Sequence, residues 1–353
     1  MVPFFPISFL ILGILSLILH TFYVVSRFGV KDVPNERSLH DTVTKKSGGM
    51  FFIPVFLLST FLFLLTPSES IGIDPFFILN EPLDLYLLLA GVFIFSILGF
   101  VDDLYHLTPK LRLFVELGIV FFCLWGIQPN VSFLGFELIP SFIQIVFLTI
   151  FLVFGINLVN FMDGMDWYLV TTFAICFISL GFILPNFYTK PNLGYSLYAV
   201  LFVSMFGFIF YNFPKAKLFM GDSGSLALGF FGLVLPLLYQ NNSDGILWDV
   251  SDYFYLFPFF WIDGVTILIK RFFQKKHLFQ AHREHLYQKL TETKLGKIGS
   301  LVVFSLLNVM VVCFHFLLRE FGFGKITIFL ILFVISILCY GIVWFSVTRK
   351  NLA

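Results

Sequence analysis

Long apolar runs alternate with short polar connections from one end of the chain to the other. Eleven runs stand out, near residues 4–26, 48–66, 83–101, 111–127, 140–159, 168–184, 194–213, 223–240, 253–271, 298–319 and 325–348. A helix rises about 1.5 Å per residue, so about 20 apolar residues cross a hydrocarbon core of roughly 30 Å. In lipid every backbone N–H and C=O needs an internal partner, and a helix supplies it within its own segment. The pattern predicts an all-α polytopic membrane protein with about 11 transmembrane helices. No repeat, low-complexity tract or soluble block interrupts it. Residues 1–353 therefore read as a single integral-membrane domain. The longest hydrophilic stretch, near 272–297, predicts a short amphipathic interfacial helix.

The connections divide by charge. Arg27, Lys31, Arg37, Lys45 and Lys46 follow the first run; the connection after the second has Glu69, Asp74 and Glu81 and no Lys or Arg. The alternation continues through Lys110 and Arg112, Lys215 and Lys217, the stretch Lys270 to Lys297, and Arg349 and Lys350. Only Lys190, Arg319 and Lys325 fall on the other side, which leaves 19 of the 22 basic residues on one face. By the positive-inside rule that face is cytoplasmic, with the N-terminus outside and the C-terminus inside. Nearly all the polar motifs share it, so a working face on the cytoplasmic side of the cell inner membrane is expected.

Composition supports this picture. The chain is 59% hydrophobic and 12% charged, too few charges to clothe a soluble domain of this size. The 52 Phe residues read as packing and lipid-facing bulk. The four cysteines lie inside apolar runs, with neither metal-ligand spacing nor a disulfide frame. The first run lacks a basic leader and a small-residue cleavage site, so it reads as a retained span. A net charge of +1 says nothing about partners by itself; no nucleic-acid partner is expected.

Five polar clusters sit at cytoplasmic ends of runs. Lys31 to His40, followed by Lys45, Lys46 and the pair Gly48-Gly49, suits an anionic ligand close to backbone, or a plain topology-anchoring loop. Asp102-Asp103 end the third run, where paired carboxylates are costly unless they meet a cation or a proton. Asn157, Asn160, Asp163 and Asp166 recur every three residues. On a helix they would line one face, a surface for a hard cation or sugar hydroxyls; Gly164 could instead turn the chain. Asn212 precedes Phe219-Met-Gly-Asp222-Ser-Gly-Ser, which reads as a phosphate- or metal-contacting helix start or as an N-cap. His282-Arg283-Glu-His285-Leu-Tyr287-Gln288 suits phosphate better than zinc, since no Cys or H-E-x-x-H pattern accompanies it. Asp263, inside the ninth run, is a separate flag, with Lys270 or Arg271 as expected partners. No Walker A or G-x-G-x-x-G string is present.

In this order and spacing, the clusters resemble the polyprenyl-phosphate N-acetylhexosamine-1-phosphate transferases, over about residues 31–290. The matching elements are Asp32-x-Pro34-Asn35-x-Arg37-Ser-x-His40, Asp102-Asp103, Asn160 to Asp166, Phe219 to Ser225, and His282 to His285. The form His-Arg-x-His-x-Tyr-Gln is similar to the O-antigen-initiating branch, and more distantly to the phospho-MurNAc-pentapeptide enzymes. Two departures stand out: Trp167 replaces a usual second Gly, and residues 42–47 lack the usual Thr-Pro, with Ser47 before the Gly pair. Both bear on sugar preference.

The resemblance implies transfer of a sugar 1-phosphate from a UDP-sugar to polyprenyl (undecaprenyl) phosphate, releasing UMP. The product would start a cell-envelope polysaccharide. It implies Mg²⁺, or Mn²⁺ in its place, with Asp222 as leading metal ligand. Asp102 or Asp103 would help deprotonate or orient the lipid phosphate. Asn212 and Phe219 would hold the uracil, with Asp163 and Asp166 in the same pocket. Lys46, His282, Arg283 and His285 would grip phosphates. The expected partners are the UDP-sugar, the lipid phosphate, the bilayer and a second copy in a homodimer. A polytopic transporter or lipid flippase is the alternative from another class. A donor such as UDP-N-acetyl-fucosamine, or dolichyl phosphate as acceptor, is the alternative within it.

Overall fold

The computed structural model describes residues 4–34, 38–65, 82–183, 193–238, 247–276 and 283–350. Helices coincide with the eleven apolar runs. Among the described residues, four of them are long and apolar enough to cross a membrane: Leu83–Tyr105, Phe142–Phe161, Gly296–Glu320 and Lys325–Thr348. Shorter apolar helices include Tyr168–Ile183 and Asp222–Leu238. The chain is thus a helical membrane protein.

Helix Asp222–Leu238 is the centre of the bundle. Every side chain from Ser223 to Leu238 is buried, which its lack of charge after Asp222 permits. Pro82–Tyr105, Phe142–Phe161 and Gly49–Leu65 surround it. Small residues let them come close, as helices in lipid associate by packing alone. Gly49 is the sharpest case: a Cβ there would meet the backbone of Ser223 and Gly224.

Two runs are broken. The seventh divides into Leu193–Ser204 and Phe206–Asn212, and the ninth into Tyr253–Leu256 and Pro258–Phe273. Pro258 starts the second piece, where its missing N–H costs no hydrogen bond. Among its described residues the hydrophilic stretch holds one short helix, Leu286–Thr291.

The all-α expectation needs one correction, because two small sheets are present. Strands Lys31–Asp32 and Thr44–Lys45 pair antiparallel. Val131–Phe133 pairs antiparallel with Phe136–Glu137 and parallel with Trp248–Asp249. The hairpin turns on Leu134 and Gly135, both at positive φ (52° and 87°). Asp249 fastens it, accepting from Ser132 Oγ at 2.9 Å and from the N–H groups of Leu134 and Gly135 at 3.0 and 2.7 Å. Strands of two or three residues are too short to show an alternating pattern in sequence.

Candidate active site

One cavity of about 410 Å³ collects residues from all five sequence clusters, though from the fifth only Gln288. Two loops zipped together build one wall. Phe219 N–H donates to Lys45 O (2.8 Å), Gly48 N–H to Phe219 O (2.9 Å) and Gly49 N–H to Met220 O (3.0 Å). The amides of the Gly pair are therefore spent on the chain itself, a correction to their reading as a ligand-facing loop. Gly221 has φ +72° and turns the chain into the central helix.

Asp103 holds this wall to helix Pro82–Tyr105. It accepts from Ser47 Oγ at 2.7 Å and from Asp222 N–H at 3.3 Å, and Lys46 Nζ lies 3.3 Å away. Ser47, at φ 70°, is thereby drawn into the site by its hydroxyl. Asp102 faces the other way. It accepts from Leu107 N–H at 2.7 Å and pairs with Arg112 Nη1 at 2.9 Å. The two adjacent carboxylates thus have separate duties: one ties loops, the other carries a cation.

In sequence Arg112 stands only as a topology charge, yet it joins most of the polar network. It lies 3.4 Å from Asp222 Oδ2 and 3.3 Å from Glu116, and donates to Asn157 Oδ1 at 3.1 Å. Asn157 passes its own N–H on to the buried Glu116. Asn160 donates to Asp222 Oδ1 (2.9 Å) and Ser225 Oγ (2.8 Å). Asn157 and Asn160 stand on helix Phe142–Phe161, but that helix ends before Asp163. Asp163 and Asp166 occupy the turn that follows, so the chain turns near Gly164 and the four residues do not share a helix face.

That turn completes the floor. Asp166 pairs with Lys297 at 3.1 Å. Burial, with the carboxylates of Asp222, Asp103 and Asp166 nearby, raises the pKa of Asp163 well above the usual carboxylate range. Trp167 has φ 62°, the region a Gly favours. Its indole donates to Ile209 O at 3.0 Å and stacks on Phe213 at 4.3 Å. Its backbone N–H donates to Asn212 Oδ1 at 2.8 Å, and Asn212 Nδ2 donates to Leu218 O at 2.9 Å. Asn212 therefore bridges the two loops. Phe219 faces His40, ring centroids 4.8 Å apart, and His40 lies 3.0 Å from Asp32 Oδ2.

The fifth cluster is placed differently. His282 lies outside the described residues, as do Asn35 and Arg37. Neither Arg283 nor His285 lines the cavity; Gln288 and Lys297 from the same stretch do. Arg283 reaches Ser38 O at 3.4 Å and Glu292 at 3.3 Å. His285 is buried against Asp263, 3.1 Å away. Lys270 and Arg271, the expected partners of Asp263, pair instead with Glu284 at 2.9 and 2.7 Å. Burial raises the pKa of Glu284, but hydrogen bonds and charge from Lys270 and Lys276 outweigh it and lower it to about 2.

Six carboxylates and two lysines line the cavity, an excess of negative charge on hard oxygen donors. Among the described residues no three His, Cys, Asp or Glu side chains converge as a metal cage. Mg²⁺ asks for no such cage; it is commonly held by one or two carboxylates together with substrate phosphates. The donor set therefore fits it, and Asp222, 33% exposed at the cavity, is the carboxylate that would reach it.

Residues 85–240, which carry three of the clusters, match glycosyl transferase family 4. A probable undecaprenyl-phosphate N-acetylglucosaminyl 1-phosphate transferase of Bacillus subtilis is 27% identical, over 89% of this chain and 83% of its own length. An undecaprenyl-phosphate alpha-N-acetylglucosaminyl 1-phosphate transferase of Thermotoga maritima is 26% identical, over 83% of each chain. A phospho-N-acetylmuramoyl-pentapeptide-transferase of Microcystis aeruginosa is 27% identical, over 76% of this chain and 74% of its own. The family 4 region contains Asp102, Asp103, Arg112, Asn157, Asn160, Asp163, Asp166, Asn212, Phe219 and Asp222. Arg112 is marked in sequence only by its place nine residues beyond the Asp pair, and Lys297 only by its charge, whereas Gln288 closes the His-Arg-x-His-x-Tyr-Gln form.

Proposed function

We propose that this protein transfers an N-acetylhexosamine 1-phosphate from a UDP-sugar to polyprenyl phosphate, with release of UMP. The observation that carries the reading is the meeting of Asp102, Asp103, Asp163, Asp166 and Asp222 in one cavity beside Lys46 and Lys297. The relatives' names supply the substrate class. The lipid phosphate oxygen attacks the β-phosphorus of the donor; the β-phosphorus–oxygen bond to UMP breaks, and a lipid-diphospho-sugar forms.

Transfer between two anions needs charge neutralisation and in-line positioning more than covalent help. Asp222 would hold Mg²⁺, with Asp102 close by; the bound ion supplies neutralisation of the pyrophosphate. Lys46 and Lys297 add fixed positive charge at the cavity wall. Phe219 offers a ring for the uracil, and such stacking is worth roughly 1–3 kcal/mol in comparable sites. Asn212 acts by fixing the loops around that ring. Asp102 and Asp103 orient the lipid phosphate. At neutral pH that group is already largely ionised, so no strict general base is required. Arg283, which reaches Ser38 O on the cavity lining, contributes positive charge at the edge of the site.

Eleven spans, the N-terminus outside and the cavity at the cytoplasmic face of the inner membrane complete the reading, on the charge asymmetry of the connections. A long polyprenyl chain then never has to leave the bilayer. A panel of UDP-N-acetylhexosamines with undecaprenyl phosphate, Mg²⁺ and the full-length protein in detergent tests it. A lipid-linked sugar diphosphate, identified by mass, is expected for at least one donor; no lipid product from folded protein with any donor would refute it.

A further inference from the structure

We propose that Asp263 is a positioning residue for the candidate active site. Its buried carboxylate fixes the His285 ring and the start of helix Leu286–Thr291, and Tyr340 of the last helix completes the grip. The inference rests on the transferase reading above for its catalytic consequence, and on geometry alone for the grip itself.

Asp263 lies within helix Pro258–Phe273 and is 1% exposed. A carboxylate in such surroundings is costly unless its oxygens are satisfied. Three donors meet it. Oδ1 accepts from Leu286 N–H at 3.0 Å and from Tyr340 O–H at 2.8 Å; Oδ2 lies 3.1 Å from His285 Nδ1. The amide can only donate, and with the phenol also directed at Oδ1 the network suits an ionised carboxylate. His285 then carries its proton on Nδ1, a tautomer assigned from the hydrogen-bond network. The carboxylate also takes an N–H from the first turn of Leu286–Thr291, a donor no residue of that helix can satisfy.

What is held in this way reaches the candidate site. One helical turn takes the chain from His285 to Gln288, which lines the cavity. Tyr287 O–H points to Phe161 O at 3.5 Å, and its own carbonyl accepts from Ser300 Oγ at 2.8 Å. Beyond them Lys297 reaches Asp166. A carboxylate inside a bundle helix thus sets where the polar segment meets the Asp163–Asp166 turn. Asp263, His285 and Tyr340 all fall outside residues 85–240, so the contact brings parts of the chain beyond the family match to the site.

The test uses the full-length protein in nanodiscs. In Asp263→Asn the amide N–H₂ can donate to Nδ1, which moves the ring proton to Nε2. ¹⁵N NMR of histidine-labelled protein, with His285→Gln to assign the signal, should show that tautomer switch. The kcat for UMP formation should fall about tenfold or more, as for other residues that orient a functional histidine, with little change in KM for the UDP-sugar. Adding Asp263→Asn to His285→Gln should cost nothing further. An unchanged tautomer, or losses that multiply in the double variant, would overturn the proposal. A tautomer switch alongside a parent protein that itself makes no UMP would uphold the grip and refute the transferase reading. Should Asp263→Asn fail to fold, Tyr340→Phe decides. It keeps the pair and should lower kcat with KM unchanged, and a kcat equal to the parent's would overturn the proposal.

Discussion

Arg112 places one guanidinium nitrogen 3.4 Å from Asp222 Oδ2, across 110 residues of chain. The same nitrogen lies 2.9 Å from Asp102, and Nε lies 3.3 Å from the buried Glu116. One cation therefore balances three carboxylates. Removing it leaves Glu116, 0% exposed, without a counter-charge. Breaking a buried pair in this way typically costs about 3–5 kcal/mol. Arg112→Met should lower the thermal midpoint in detergent markedly, and Arg112→Lys less, since it keeps the charge but loses the fork. A midpoint equal to the parent's in Arg112→Met would show that the network is not stabilising.

Asp222 should behave in the opposite way. It is a third exposed at the cavity, and its neighbours keep other partners: Arg112 has Asp102 and Glu116, Asn160 has Ser225. Asp222→Ala should abolish turnover while the protein stays folded, and chelation of divalent metal should do the same to the parent. Circular dichroism and UMP release measured together check this. Full activity in the variant would remove Asp222 as the essential ligand.

Trp167 tests whether a departure from the family pattern matters. Its φ of 62° costs a non-Gly residue about 1–2 kcal/mol. The indole offsets that through Phe213 and Ile209. The contact to Asn212, however, is made by the backbone N–H, which any residue but Pro supplies. Trp167→Gly should therefore keep turnover, with a stability change within about 2 kcal/mol. Asn212→Ala strands a buried N–H and a carbonyl at about 1–3 kcal/mol each. It should raise KM for the UDP-sugar as the two loops separate. The two variants' KM values, measured side by side, distinguish backbone from ring.

At the other ends of the helices, Asp249 makes stability depend on acid. Burial raises its pKa, but hydrogen bonds from Ser251 and Gly135 and the charge of Lys325 outweigh it, lowering it from 3.8 to about 2. A folded value below the unfolded one adds stability that is fully present above pH 3.8. It is lost as the pH falls through the folded value near 2. The amount is on the order of 2 kcal/mol. The thermal midpoint should fall over that window, and fall less in Asp249→Asn, which starts lower. Parallel curves for the two proteins would contradict the assignment.

How much of this was legible in the sequence depends on whether a residue contrasted with its surroundings. Asp102, Asp103, Asn160 and Asp222 did, because each interrupts or bounds an apolar run, and the structure brings them together. Arg112 did not, since basic residues are expected on that face and its partner Asp222 is 110 positions away. The Asn157 to Asp166 spacing leaves open a continuous helix face or a turn at Gly164; the helix stops at Phe161 and the turn serves the cavity. Lys270 and Arg271 looked right for Asp263 by proximity along the helix; Glu284, arriving from the next segment, takes both, and His285 takes Asp263. In each miss a contact between distant segments displaced a plausible local one.

The central claim is tested most directly by UMP release from UDP-N-acetylglucosamine by the purified full-length protein, with undecaprenyl phosphate and Mg²⁺ present or withheld singly. Release that requires both the lipid and the metal is the predicted result. Release that proceeds equally without the lipid phosphate, or none from folded protein when both are supplied, would contradict it.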